Sequence, residues 1–350
     1  MTKTKTINKN LILLSLCVLL IITIFLCFFV CRHPVPVKDF CLGIIYSLGH
    51  KQLIHQDLIN DSIFYFRIHF PYIILACLVG CCLSAAGVCY QSIFQNPMAS
   101  PSTLGASGGA AFGASLAILL ITDASRDILI RKKFIITSSA FFFSMLSVLL
   151  VYAISRKTRG NKVVGLVLSG MMVSSLYTSA ISLIKYVADP YNHLPQIMFW
   201  LTGSFNGLYV DDLKFALIPM IIGLIPLYLL RWKINILTLG DDEAKSLGIN
   251  PQRLRFIIIF FATLITAISI SISGMIGWVG LVIPHFARRI IGSNCKYLLP
   301  ASMVIGAIFM LLVAHLSMNL IPCQVLPLGI VSPFVTAPFF LNLIFKTSKK

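Results

Sequence analysis

The sequence specifies an all-α integral membrane protein with about ten transmembrane helices, and three observations require it. Of 350 residues, 58% are hydrophobic and 11% charged, with a mean hydropathy of +0.92, well beyond what a soluble domain carries. The apolar residues fall in runs of about 20, the length a helix needs to cross roughly 30 Å of hydrocarbon. The 11 acidic residues lie outside all of these runs. A net charge of +17 on a soluble chain would suggest nucleic acid. Here it is explained by lysines and arginines that hold loops on one side of a bilayer, and no nucleic-acid partner is expected.

The elements follow in order. Lys3, Lys5 and Lys9 precede an apolar run at 11–30. That run is too long for a signal-peptide core and no small-x-small cleavage site follows, so it reads as a retained first helix. Residues 31–66 form the longest polar connection. Further spans are expected at 70–92, 103–122, 134–155, 163–184, 213–231, 256–275, 278–291, 298–317 and 326–345, with a short surface helix within 197–208. The whole chain, 1–350, then forms a single transmembrane domain.

Charge orients this layout. With the N-terminus inside, the inner segments hold 18 basic and 3 acidic residues, and the outer ones the remaining 10 basic and 8 acidic. The excess of Lys and Arg places both termini in the cytoplasm.

The stretch from Leu237 to Arg255 is the one part that the membrane cannot hold. It carries Asp241, Asp242, Glu243, Lys245, Arg253 and Arg255 between two apolar runs. Burying even half of these would cost on the order of 8–10 kcal/mol. Asp241 to Leu247 can make about two helical turns, with acids at the positive end and Gly248 as a stop. Asn250-Pro251 opens the next run. Ala244 and Leu247, three residues apart, form an apolar patch on it. By composition alone the stretch fits either a solvated loop or an element offered to a soluble partner.

Missing chemistry narrows the function. The ten cysteines show no paired C-x-x-C spacing, so neither zinc nor a disulfide framework is indicated. No paired acids or metal-ligand cluster suggests catalysis, and no catalytic or metal-binding residue is assigned. Carriers driven by ion gradients usually place carboxylates at mid-membrane, which demotes a gradient-driven transporter of small solutes to the alternative reading. Gly240 with Lys245-Ser246 lacks the second glycine and the preceding strand of a phosphate loop. ATP-driven work would therefore need another subunit.

Two further features stand out. From Gln91 to Pro101 the chain is interrupted at Asn96-Pro97 and Ser100-Pro101, leaving carbonyls that need partners. The small-residue run from Gly105 to Gly113 follows. Together they fit a loop with a packing seam, or a constriction on a pathway. Gly87, Pro97 and Gly105 also recur at the spacing of Gly274, Pro284 and Gly292, an offset of 187, a faint inverted repeat.

In order and spacing these segments resemble the permease family of bacterial ATP-binding-cassette (ABC) importers for iron–siderophore complexes, haem and cobalamin. The matching residues are Gly87, Gln91, Asn96-Pro97, Ala99 and Pro101, then Leu104-Gly105. They continue with Leu239-Gly240, Ala244 and Leu247-Gly248, and with Gly274, Ile276-Gly277, Val279-Gly280-Leu281, Pro284-His285 and Arg288. Leu326-Pro327, Gly329-Ile330 and Ala337-Pro338-Phe339-Phe340 complete the set, so the likeness runs from about 65 to 345.

The resemblance implies a type II importer permease in the bacterial cytoplasmic membrane. It implies a second permease subunit, two cytoplasmic ATPases carrying ATP and magnesium, and an external substrate-binding protein, with no cofactor held by this chain. Leu239, Gly240, Asp241, Glu243, Ala244, Leu247 and Gly248 would then couple to the ATPase. Gln91, Asn96, Pro97 and Met98 would belong to a cytoplasmic gate, together with the loop near 157–164. Two departures stand against the family pattern. His69-Phe70-Pro71-Tyr72 replaces Arg-x-Pro-Arg, leaving Arg67 as the nearest binding-protein contact, with Arg131, Lys132 and Lys133 as further external cations. Ala314-His315 replaces an Ala-Asp pair.

Overall fold

The computed structural model describes residues 8–29, 56–121, 127–158, 162–321 and 324–347, with side chains described outside 56–68, 127–131, 162 and 339–347. Among these residues the chain is all-helical, with one isolated bridge between Ile321 and Gln324. The helices are α1 (Lys9–Phe29), α2 (Gln56–Ile93), α3 (Ala106–Leu120), α4 (Asp127–Arg156), α5 (Lys162–Val187), α6 (His193–Thr202) and α7 (Val210–Leu229). They continue as α8 (Arg231–Leu237), α9 (Asp241–Ser246), α10 (Pro251–Ser273), α11 (Val279–Ile291), α12 (Cys295–Asn319) and α13 (Leu328–Thr347).

Among the described residues seven helices, against the ten spans expected, are long and apolar enough to cross a membrane: α1, α2, α4, α5, α7, α10 and α12; α3 and the described start of α13 are shorter apolar helices. Their burial sorts them into two layers. The apolar windows of α2, α10 and α12 are 78%, 67% and 61% buried, against 28% for α4, α5 and α7 and 11% for α1. The first three form the centre of the bundle, and the others present their apolar sides outward, where lipid takes the place of core.

Small residues set the central crossings. A Cβ on Gly80 would fall inside the carbonyl of Gly306, fixing α2 against α12. One on Gly87 would fall inside the carbonyl of Gly280, fixing α2 against α11. The run from Gly105 to Gly113 makes the expected seam. Gly109 and Gly113 lie against the backbone of Phe143 and Ser139 on α4. Ser139, Ser144 and Ser147 donate to the carbonyls of Gly113, Ala106 and Gly105 at 2.7, 2.9 and 2.8 Å. Close backbones and hydroxyl bonds replace the hydrophobic drive that lipid removes.

Several boundaries differ from the expected ones. The second helix begins at Gln56, inside the stretch read as a polar connection. The third is broken: Pro101–Leu104 is a short 3-10 turn, and Gly105 at φ +77° turns the chain into α3. The short helix within 197–208 is α6, a few residues earlier. The sixth span starts at Val210 and so takes Asp211 and Asp212 into its first turn, where the expectation held no acid inside any span. There Asp212 pairs with Lys133 at 2.6 Å. Of the three repeat positions only Gly105 and Gly292 share a setting, both at positive φ between helices. Gly87 lies mid-helix while Gly274 ends one, and Pro97 lies in a loop while Pro284 lies inside α11.

The two ends of the bundle are chemically distinct. At one end Lys9 of α1 sits over the Tyr297 ring, 5.4 Å from its centroid. The Cys295 amide of α12 donates to Asn235 at 3.2 Å, and Gln95 Nε2 at the end of α2 donates to the Leu237 carbonyl at 3.3 Å. This basic end gathers the start of α1, the Asn96 loop and the 237–255 stretch. At the far end Lys133 holds the Gly207 carbonyl at 2.7 Å, and Leu328 donates to Gly203 at 2.9 Å.

Candidate functional site

The polar stretch at the basic end folds into a braced helix. Gly240, at φ +129°, leads into α9, whose first turn holds Asp241, Asp242 and Glu243. Its C-terminus closes through Gly248 at φ +75°: the Gly248 amide donates to Lys245 at 2.9 Å and the Ile249 amide to Ala244 at 3.0 Å. Asn250 then caps α10 by accepting from the Arg253 amide at 3.1 Å, with Pro251 at the first helical position. Each of these residues supplies what its position requires: positive φ for the glycines, a side-chain acceptor for the cap, no donor for the proline.

Asp241 is held by Arg255 of α10 through both guanidinium nitrogens, Nη1 to Oδ2 at 2.8 Å and Nη2 to Oδ1 at 2.5 Å. Arg255 is 7% exposed. Its hydrogen bonds hold the Asp241 carboxyl below the usual carboxylate range, with the Arg255 and Lys245 charges acting the same way against partial burial. A carboxylate whose folded pKa is depressed adds stability above its unfolded pKa, about 3.9, and loses it as the pH falls through the folded value. The pair therefore stays closed between about pH 5 and 8. The melting-temperature difference between the unmodified protein and Asp241→Asn is expected to be constant over that range and to shrink only below about pH 4.

The apolar patch expected from Ala244 and Leu247 is divided by the fold. Ala244 is fully buried against the bundle, whereas Leu247 is 60% and Leu239 62% exposed. In a helix of 6 residues the turn that faces its own bundle consumes the alanine. The exposed apolar pair is instead Leu239 and Leu247, one at each end of α9. Sequence spacing missed Asn235, Gln95 and Arg255, whose partners are distant in the chain. Only the charge of Arg255 beside an apolar run signalled it.

The gate candidates divide too. Gln91 is 3% exposed and works as a strut: Nε2 donates to Leu281 at 3.0 Å and Oε1 accepts from Arg288 at 2.5 Å. It joins α2 to α11, and Arg288 of the same motif is its partner. Asn96, Pro97 and Met98 are exposed at the basic end, with Asn96 Oδ1 accepting from the Met98 amide at 2.9 Å. Residues 159–161 of the other gate loop lie outside the described residues.

At the far end a cavity of about 600 Å³ opens between α4, α6 and the end of α10, lined by Lys132, Lys133, Thr137, Gln196, Trp200 and Ser273 among others. Among the described residues no carboxylate lines it. Lys133, read as an external cation, is paired with Asp212 and lies over the Tyr209 ring at 5.5 Å. The side chains of Arg67 and Arg131 lie outside the described residues. Of the two departures from the family pattern, buried Tyr72, aligned with an arginine, donates from its hydroxyl to the Ala314 carbonyl at 2.8 Å. His315, which stands in place of the aspartate, lies 3.3 Å from the Asn319 side-chain nitrogen.

A multi-pass helical bundle with a braced charged helix at one end and a cavity at the other has the architecture of a membrane transport subunit, and the relatives of this chain make it a permease of the ABC importer class. The chain belongs to the FecCD transport family, whose family model matches residues 19–346. It is 39% identical over 310 residues, 89% of this chain and 90% of the relative, to a probable iron chelatin transport system permease protein of Helicobacter pylori. It is 33% identical over 338 residues to the molybdate import system permease protein MolB of Haemophilus influenzae, covering 97% of this chain and 96% of that one. A solved structure described as a metal-chelate type ABC transporter in an inward-facing conformation superposes with a TM-score of 0.83 at 32% identity, over 96% of this chain and 99% of that chain.

Proposed function

We propose that this chain is the permease through which a metal-bearing chelate enters the cytoplasm, paired with a second permease subunit and driven by ATPases pressed against α9. The observation that carries this reading is the braced helix with Leu239 and Leu247 exposed at its ends. Two leucines exposed at the two ends of a short charged helix offer apolar contact points that a groove on a soluble partner could cover. ATP and magnesium belong to that partner, and an external binding protein delivers substrate to the far end. Relatives named for iron chelates, ferric citrate, molybdate and cobalamin support an anionic or bulky metal compound as cargo.

The basic end is cytoplasmic in this reading, by the excess of Lys and Arg there. Both termini then face the cytoplasm of a bacterial inner membrane. In a background free of native cysteines, Ser246→Cys is expected to react with an impermeant maleimide only from the cytoplasmic side, and Asn206→Cys only from outside. Labelling of Ser246→Cys from outside would reverse the topology and remove α9 from the reach of an ATPase.

Uptake of radioiron, supplied as a ferric chelate to proteoliposomes with the ATPase and binding protein, tests the function directly. Uptake is expected to require ATP and to survive an uncoupler. Uptake that persists without ATP and collapses with the uncoupler would favour the gradient-driven alternative.

A further inference from the structure

We infer that the Asp241–Arg255 ion pair is a positioning device that makes α9 and α10 one rigid body, so that a push on α9 is delivered along α10 to the wall of the far-end cavity. The inference rests on the reading of α9 as the ATPase contact, and assigns to Arg255 a task in coupling.

The covalent link between the two helices is the weak point that the pair bypasses. It runs through Gly248, where a Cβ would meet nothing within 4 Å. The turn is closed by the Gly248 and Ile249 amide bonds and by Ile249 packing on the bundle, and the glycine within it keeps more backbone freedom than any other residue would. The ion pair joins the helices across 14 residues of chain. Two parallel bonds from a planar guanidinium fix distance and rotation together, which a single lysine contact cannot.

The pair is also a costly way to make a mere contact. Arg255 Nε is buried without an acceptor, and a buried unpaired donor is unfavourable. Apolar side chains of similar volume often hold two helices as well or better. What the fork adds is orientation.

The helix that receives the push suits the task. Of the three central helices, α2 contains Pro71, Gly80 and Gly87, and α12 contains Pro300 and Gly306. By contrast, α10 has no glycine and no proline beyond its first position. Its Thr263, Thr266, Ser269 and Ser273 hydroxyls are satisfied within the helix, each donating to a carbonyl four residues back at 2.6 to 2.8 Å, a bond that bends a helix slightly without breaking it. From Arg255 to Ser273 the helix covers about 27 Å. It ends with Ser271, Ile272, Ser273 and Gly274 in the cavity wall. Such a helix transmits displacement where a kinked one absorbs it.

The test needs no knowledge of the cargo. Gln196→Cys, exposed on the cavity wall, reports its accessibility to maleimide in the cysteine-free permease reconstituted with its ATPase. ATP is expected to change the labelling rate. With Arg255→Lys, which keeps the charge but not the fork, hydrolysis and ATPase association should persist while the ATP-dependent change is lost. Asp241→Cys with Arg255→Cys should behave likewise until a short, membrane-impermeant bis-methanethiosulfonate, applied only from the α9 side so that Gln196→Cys stays free, bridges them, which should restore the response. An unaltered response in Arg255→Lys overturns the inference. Should that variant fail to insert, the cysteine pair decides: a response only when bridged supports the clamp, and an equal response bridged or open overturns it. Lack of any ATPase association with the unmodified α9 ends both this inference and the reading beneath it, whereas a working unmodified complex with insensitive clamp variants ends the clamp alone.

Discussion

Leu247→Asp is expected to abolish ATP-dependent uptake while leaving the protein inserted in the membrane. Leu247 is 60% exposed at the end of α9 and touches the bundle little, so its replacement leaves the fold intact. In the assembled transporter the leucine would leave water for a groove on the ATPase. Burying a leucine contributes about 1.5–3 kcal/mol, and an aspartate in the same place would bring an unpaired charge with its own desolvation penalty. A loss of about 3–5 kcal/mol at each contact corresponds to a fall of roughly a hundredfold or more in ATPase affinity. Co-purification measures the affinity and uptake into proteoliposomes the function. Ala244→Asp is the instructive comparison, because Ala244 is fully buried. It should lower stability first, where Leu247→Asp lowers only association. Normal uptake by a correctly inserted Leu247→Asp complex would move the coupling site away from α9.

Gly87→Val is expected to prevent a stable bundle from forming. A Cβ at this position would overlap the Gly280 carbonyl, with the Gly280 Cα and carbonyl carbon close behind. These are backbone atoms of α11, so no rotamer change can relieve the contact. The helices must separate, and Gln91, one turn along α2, would lose its bonds to Leu281 and Arg288. Overpacking costs about 1–3 kcal/mol and occasionally more, and a contact with backbone that cannot move aside belongs at the upper end. Thermal aggregation in detergent should move sharply downward for Gly87→Ala, and Gly87→Val should accumulate poorly in the membrane. Gly248→Ala has open space around it and is strained only by its positive φ, so it should be far milder. A Gly87→Val protein as stable as the unmodified one would show that the α2–α11 crossing does not set the fold.

How much of this was legible in the sequence depends on the range of the interaction. The helix caps were legible because they are local: Gly248, Asn250 and Pro251 do at 248–251 what their chemistry allows anywhere. The seam at Gly105 to Gly113 was legible as a composition, since a run of small residues has few other uses in a membrane. The start of α2 at Gln56 was not. Residues such as Gln56, Asp57 and Asn60 break the apolar run without breaking the helix, and hydropathy reads the former. The two acids at the head of α7 were misplaced for the same reason, with Asp212 paired to a lysine 79 positions away.

Within the candidate site the division is sharper. The 237–255 stretch announced itself because six charges cannot enter hydrocarbon, a constraint that acts residue by residue. What each side of its helix faces could not be read that way. Ala244 and Leu247 share one face by spacing, yet the bundle takes the first and leaves the second. Gln91 reads as a gate residue and Lys133 as an external cation, and their pairing with Arg288 and Asp212, far along the chain, is not legible in the sequence.

By itself, then, the sequence determined the class of protein, the order of its main apolar helices, the charged break at 237–255 and the small-residue seam from Gly105 to Gly113. Each follows from transfer energies or backbone limits that a residue carries wherever it stands. Only the tertiary structure decided which polar side chains are already satisfied and which surfaces remain open. Pairings such as Asp241 with Arg255, Gln91 with Arg288 and Tyr72 with Ala314 depend on which helices become neighbours. That is fixed jointly by close crossings at Gly80 and Gly87 on α2, and no single stretch of chain contains it.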